Sequence, residues 1–139
     1  MHTYLAVDLG AESGRVVRGT LHNGHLRLHT LHRFPNGAAQ RGRHLCWDTR
    51  GLWRGIRDGL RAAAGTGGDT SVGVDTWGVD FVLLDANHAP AGPAVCYRDP
   101  RTAGALPRFL DIMPARDLYA RTGIQFMEIK TLYQLFSMT

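Results

Sequence analysis

The chain opens on an unbroken apolar run, Tyr4 to Val7, closed by Asp8 and a glycine-containing turn. That is the pattern of a central strand covered on both faces. Gly14 to Leu21 reads as a second strand, and Asn23-Gly24 between two β-type runs predicts a tight hairpin. Leu26 and Leu28 then alternate with His25, Arg27 and His29, which predicts a strand with one buried face. The parity shifts near Thr30-Leu31, as it does at a bulge. Asp48 or Thr49 can cap a helix carrying Leu52, Ile56, Leu60, Ala63 and Ala64 on one side. Arg50, Arg54, Arg57, Asp58 and Arg61 take the other side, and Gly65 marks its end. A loop, Gly65 to Gly68, leads to two further predicted strands, Ser71 to Asp75 and Val79 to Asp85. From Pro90 onward the chain reads as loop plus helices at Thr102 to Leu110, Ala115 to Arg121 and from Ile129.

Composition narrows the function classes. With 139 residues, 44% hydrophobic and 20% charged, the chain can bury a core as one small globular domain. No apolar run approaches the roughly 20 residues of a membrane span, and the start lacks the basic and apolar blocks of a secretory leader. A soluble, cytoplasmic protein is the expectation. The net charge of +4 is carried by scattered arginines, with Lys130 the only lysine. No basic block marks a nucleic-acid surface. Cys46 and Cys96 lack the spacing of a zinc or redox pair. His22, His25, His29 and His32 cluster in sequence, yet on a plain strand their spacings fall on both faces, so they read as solvated surface residues.

Two motifs carry chemistry. In the first, the strand ending at Asp8 runs into Leu9-Gly10-Ala11-Glu12-Ser13-Gly14-Arg15 and then a second strand. Backbone N–H groups of such a turn form an anion-binding concavity, and an aspartate at a strand end can organise Mg²⁺ through water. Ser13 adds a hydroxyl and Arg15 a permanent positive charge. Neither a P-loop nor a dinucleotide fingerprint fits, because a strand rather than a helix follows. In the second motif, Val74 to Asp85, a turn combines the carboxylates of Asp75 and Asp80 with the ring of Trp77 and with Gly78. Carboxylates accept hydrogen bonds from hydroxyls, a flat ring covers the apolar face of a sugar, and glycine allows close approach to the backbone. The set suits a polyol. Taken singly, each of these residues fits a hairpin with a core tryptophan and solvated aspartates. Arg98, Asp99 and Arg101 read equally as a surface ion-pair cluster or as part of the site.

Together Asp8 to Arg15, His32 to Phe34, Trp47-Asp48, Gly73 to Asp85, Tyr97 to Thr102, Thr122 to Phe126 and Thr131 to Leu135 resemble the N-terminal part of the FGGY carbohydrate kinases. Within them the stretch from Asp75 to Asp85 resembles the branch acting on L-rhamnulose. The resemblance implies a ribonuclease-H-like (actin-like ATPase) α/β fold with a mixed sheet, residues 1–139 forming an incomplete N-terminal lobe. Three antiparallel strands, a helix and a strand returning beside the first are expected, with Asp8 and Asp75 at adjacent strand ends. It further implies transfer of the γ-phosphate of ATP to L-rhamnulose, with Mg²⁺ at Asp8. Ala11, Glu12, Ser13, Gly14 and Arg15 would hold phosphate, and Trp77, Gly78, Asp80, Tyr97 and Arg98 would hold sugar. From residues alone Asp80 is a candidate general base; the resemblance instead places the base beyond Thr139, so that 139 residues by themselves are expected to be inactive. The alternatives are a kinase for fuculose or xylulose, or a non-catalytic actin-like sugar-binding module. Neither a nucleic-acid nor a membrane partner is expected.

Overall fold

In the computed structural model, residues 2–64 and 68–139 are described, so Gly65 and most of the Gly65 to Gly68 loop lie outside the described residues. The chain forms two compact units, Met1–Ala38 with Asp48–Gly78, and Ala39–Trp47 with Val79–Thr139.

The first unit holds a four-stranded sheet. Strands β1 (His2–Leu9), β2 (Ser13–His22) and β3 (His25–Pro35) are antiparallel neighbours, and helix α1 spans Thr49–Ala64. For the later strands we number β4 as Ala38–Arg41, β5 as His44–Trp47 and β6 as Asp69–Thr76. β6 returns parallel to β1, giving the order β3-β2-β1-β6. This is the expected arrangement. Asn23 and Gly24 both have positive φ, 49° and 77°, as the tight hairpin between β2 and β3 requires. Val16 pairs with His32 and Val17 with Thr30, so Leu31 is the extra residue of a bulge at the point where the parity shifted.

Helix α1 approaches β2 and β3 through its glycines. A Cβ at Gly55 would lie 2.5 Å from the Phe34 ring, and one at Gly59 would lie 2.2 Å from Val16 Cγ2. Val7, Val16 and Phe34 are buried, and Arg18 donates a hydrogen bond to the Ala63 carbonyl at the end of α1. Coverage by α1 does not extend to both faces of the sheet. Tyr4 is 40% exposed and Ala6 is exposed, so the predicted two-sided burial of β1 is not observed. Leu28, in the same row through Gly19, is 70% exposed. The apolar run of β1 matched a strand sandwiched on both sides, whereas among the described residues of this unit the one helix packs on a single face.

The histidines correct a second expectation. His32 lies under Gly59 of α1, which also meets Val16, and Arg18 shares that face. His29 pairs with Arg18, and His22 pairs with His25 across the hairpin. The hairpin reverses the chain and the bulge at Leu31 shifts parity by one, so all four histidines fall on the α1 side of the sheet.

In the second unit, β4 and β5 form a two-stranded sheet turned at Gly42 (φ 59°). Helices α2 (Ala105–Ile112), α3 (Ala115–Thr122) and α4 (Thr131–Phe136) follow the predicted positions closely. Helix α2 begins later than expected, because Pro100–Thr102 forms a separate 3₁₀ turn capped by Asp99. Phe109 makes edge contacts with Tyr133 and Phe136, 5.8 and 5.4 Å between centroids, joining α2 to α4.

The predicted strand from Val79 to Asp85 is absent; one isolated bridge pairs Leu84 with Pro90. Val79 sits at φ 73°, a left-handed conformation that is costly for a β-branched residue. Its carbonyl is held there by Thr131 Oγ1 at 2.9 Å and Gln134 Nε2 at 3.1 Å. An apolar run looked like a strand, but side-chain donors from α4 turn its first residue out of extended geometry.

The α1–sheet approach gives a test. Gly59→Ala gains about 1 kcal/mol of helix propensity, but overpacking costs about 1–3 kcal/mol. With Val16 only 2.2 Å from the added methyl, overpacking wins. Chemical denaturation should show Gly59→Ala less stable than the parent, while Gly73→Ala, with open space around its Cβ, should change little. A Gly59→Ala protein of raised stability would contradict the packing.

Candidate functional site

In the first unit the strand registers place four charged residues in one row. Asp75 of β6 pairs with Asp8 of β1, Asp8 with Arg15 of β2, and Arg15 with Arg33 of β3. Paired residues of neighbouring strands project to the same side, so two carboxylates and two guanidiniums line one face of the sheet. The parallel pair β1 and β6 ends here, and ligands of open α/β sheets characteristically bind beyond the carboxyl ends of parallel strands. Arg15 Nε donates to Asp8 Oδ2 at 2.6 Å, with both side chains roughly half open to solvent. At that exposure the pair adds little stability. Its effect is to aim the two groups.

The loop between β1 and β2 is braced from inside. The Gly10 N–H donates to the Ser13 carbonyl, and a Cβ on Gly10 would stand 3.0 Å from that oxygen, a tight contact that glycine avoids. Asn36 reaches over from the end of β3. Its backbone N–H donates to the Glu12 carbonyl at 3.0 Å and its Nδ2 to the Gly10 carbonyl at 2.8 Å. Arg33 Nη1 donates to Ser13 Oγ at 3.3 Å. Sequence reading identified Asp8 and Ala11 to Arg15 but missed Arg33 and Asn36. The Pro35-Asn36-Gly37 turn signal was visible; its proximity to the loop needed the β2–β3 register.

Trp77 is half-buried at the end of this unit. Gly78 is exposed, with no atom within 4 Å of the point where a Cβ would stand.

In the second unit Asp80 has a structural partner. Its Oδ2 accepts the indole N–H of Trp47 at 2.7 Å, and Trp47 is buried. The Trp47 ring lies 6.4 Å from that of Tyr97, and the Arg98 guanidinium stands 5.2 Å over the Tyr97 ring while its Nε donates to the Tyr97 hydroxyl. Asp80, Trp47, Tyr97 and Arg98 therefore make one connected cluster, of which sequence reading had assigned all but Trp47 to the sugar.

The surface ion-pair reading of Arg98, Asp99 and Arg101 is not borne out. Asp99 is 3% exposed and accepts from the backbone N–H groups of Leu45 and Arg101 and contacts His44 Nδ1. Burial alone would raise its pKa, but these donors outweigh burial and hold the carboxyl below the usual carboxylate range. Arg43 Nε donates to His44 Nε2, which leaves Nδ1 as the nitrogen that donates to Asp99. Burial pushes the Cys96 thiol up, which disfavours its thiolate form.

Among the described residues no group of three or more His, Cys, Asp or Glu could hold a metal, and no helix is long and apolar enough to cross a membrane.

Two measurements test the second unit. Asp80→Ala leaves the buried Trp47 N–H without this acceptor and should cost about 1.5–3 kcal/mol, most of it absent in a Trp47→Phe background. Additive losses in the double mutant would show the contact to be energetically idle. Asp99 has a lowered folded pKa, so its contribution is complete above the unfolded carboxylate value and is lost as pH falls through the folded one. Asp99→Asn should therefore destabilise at neutral pH, with the gap to the parent closing in strong acid; a gap that widens on acidification would reverse the assignment.

No family model matches the chain. A rhamnulokinase of Oceanobacillus iheyensis is 46% identical over 94% of this chain and 28% of its own length. One of Halalkalibacterium halodurans is 42% identical over 99% of this chain and 30% of its own. The chain thus spans under a third of the length of these relatives. Among solved structures, a ligand-bound xylulose kinase of Lactobacillus acidophilus superposes with TM-score 0.82 at 11% identity, covering 99% of this chain and 28% of that one. A Brucella ovis kinase described as a xyloylose kinase gives 0.76 at 21% identity, covering 96% and 28%. The solved structures share this chain's fold, and by sequence, along nearly all of its length, the chain is similar to rhamnulokinases.

Proposed function

We propose that the chain is the phosphate-loop portion of an ATP-dependent kinase for L-rhamnulose, forming L-rhamnulose 1-phosphate, with parts of the sugar-binding surface. The observation that carries the reading is the row Asp75, Asp8, Arg15, Arg33 beside the braced loop Gly10 to Gly14. Phosphoryl transfer depends on positioning and charge neutralisation rather than on covalent chemistry. A row with carboxylates at one end and guanidiniums at the other supplies both. The relatives' name supplies the sugar.

The donor set fits Mg²⁺. Asp8 and Asp75 offer hard carboxylate oxygens open to water, as an ion that keeps much of its hydration shell requires. The metal would neutralise phosphate charge there. Arg15 and the N–H groups of Ala11 to Gly14 hold phosphate oxygens, Ser13 adds its hydroxyl, and Asn36 keeps the loop closed. Glu12 is exposed, with its carbonyl tied to Asn36, which is compatible with a carboxylate pointing away from the anion. Gly78 and Trp77 in the first unit, and Asp80, Tyr97 and Arg98 in the second, are proposed sugar contacts. Asp80 would serve the sugar while its Oδ2 holds the indole of Trp47.

The test uses a chimera in which this chain replaces the matching segment of the Oceanobacillus iheyensis relative. Asp8→Asn keeps the shape but removes the charge, so turnover should fall on the order of a hundredfold or more with sugar binding nearly unchanged. Gly78→Val has room in the fold, so it should raise KM for L-rhamnulose while leaving nucleotide affinity intact. Near-normal turnover of Asp8→Asn would move the metal elsewhere. Loss of ATP affinity in Gly78→Val, with sugar use unchanged, would remove that residue from the sugar site.

A further inference from the structure

We propose that His22 and His25 form a two-histidine site for a borderline divalent cation, of the zinc or nickel class, at the tip of the β2–β3 hairpin. The reading does not depend on the kinase assignment. The two residues flank Asn23-Gly24 and are direct register partners, the last pair of the ladder. Directly opposed residues have Cβ atoms about 4.5–5.5 Å apart and project to one side of the sheet. Two imidazoles so placed can each give a ring nitrogen to one ion, for which the usual metal–nitrogen distance is about 2.0–2.1 Å.

The turn supplies preorganisation. With Asn23 and Gly24 both at positive φ, the hairpin is closed by its own backbone preference, so little ordering remains to be done by the metal. Thr20, His22, Asn23, His25 and Arg27 line a groove of about 290 Å³ on this face, large enough for an ion with water in its remaining positions. Every one of these residues is at least partly open to solvent. Among the described residues no third His, Cys, Asp or Glu joins them. The protein therefore offers two imidazole nitrogen ligands, a set that selects imidazole-preferring metals over Mg²⁺, which favours oxygen. Arg27 is the nearest charge on the face, paired with Thr20 one step along the ladder. Its repulsion acts through water and is weak beside two coordinate bonds.

The other two histidines of this face serve as internal controls. His29 pairs with Arg18 and is separated from His25 by Arg27. His32 stacks on Phe34, 5.7 Å between centroids, beneath α1.

The experiment titrates Zn²⁺, and separately Ni²⁺, into tag-free protein. Calorimetry should give one site, and imidazole NMR signals of His22 and His25 should move while those of His29 and His32 stay. His25→Ala and His22→Ala should each weaken binding about tenfold or more, His29→Ala should not, and Zn²⁺ should raise the thermal midpoint of the parent but not of His25→Ala. These substitutions lie at an exposed hairpin end, and the metal-free midpoint of each checks that it folds. Equal binding by parent and His25→Ala, or a requirement for His29, would overturn the site. So would Mg²⁺ displacing Zn²⁺ at comparable concentration, since that would mark oxygen ligands.

Discussion

Phe34 is the contact on which the first unit depends. Its ring occupies the space where side chains would stand on Gly14 and on Gly55, at 2.3 and 2.5 Å from the positions of their absent Cβ atoms. One aromatic residue thereby sets the distance between α1 and the sheet and packs against the first residues of β2, where the charged loop ends. Two residues on, Asn36 ties down the carbonyls of Gly10 and Glu12. Core packing and loop geometry are thus joined through the stretch from Leu31 to Pro35, with its bulge, and the turn that follows. Glycine on both sides of the ring is what permits this, and any added methyl would have to push a ring already buried.

The charged row follows from that framework. Strand pairing is stepwise, so once β1 lies between β2 and β6, the alignment of Asp75, Asp8, Arg15 and Arg33 is set by register alone. No single strong bond holds it. The Asp8–Arg15 contact is a solvent-exposed pair worth little to stability, which suits groups that must exchange partners when a phosphate or metal arrives. The second unit uses charge in the opposite way. Asp99 is buried and saturated with donors, and it organises the turn at Pro100 to Thr102 rather than facing a ligand. Asp80 stands between the two cases, with one oxygen committed to Trp47.

Much of the fold was legible from the pattern of residues. The antiparallel strands, the hairpin at Asn23-Gly24, the bulge at Leu31 and α1 all follow from local rules of spacing and turn chemistry, while the return of β6 beside β1 was implied by the family resemblance. Asp8 and its loop were legible too, because strand, acid and glycine turn are contiguous in sequence. The failures have a common cause. Val79 to Asp85 looked like a strand until Thr131 and Gln134, more than fifty residues away, captured the Val79 carbonyl. The two-strand hairpin β4–β5, with four residues in each strand, is too short to announce itself.

Which residues lie in each strand and where each turn falls was therefore determined by the sequence itself, since those depend on side-chain period and on φ preferences within a few residues. Which side chains stand together was decided by tertiary structure. The placement of Arg33 beside Arg15 and the gathering of four histidines on one face depend on the β2–β3 register with its bulge, while the bracing by Asn36 and the bond from Trp47 to Asp80 join residues 26 and 33 positions apart. Register shifts by one residue at a bulge reverse every side chain beyond it, and nothing in a strand's own composition says across from whom it will lie.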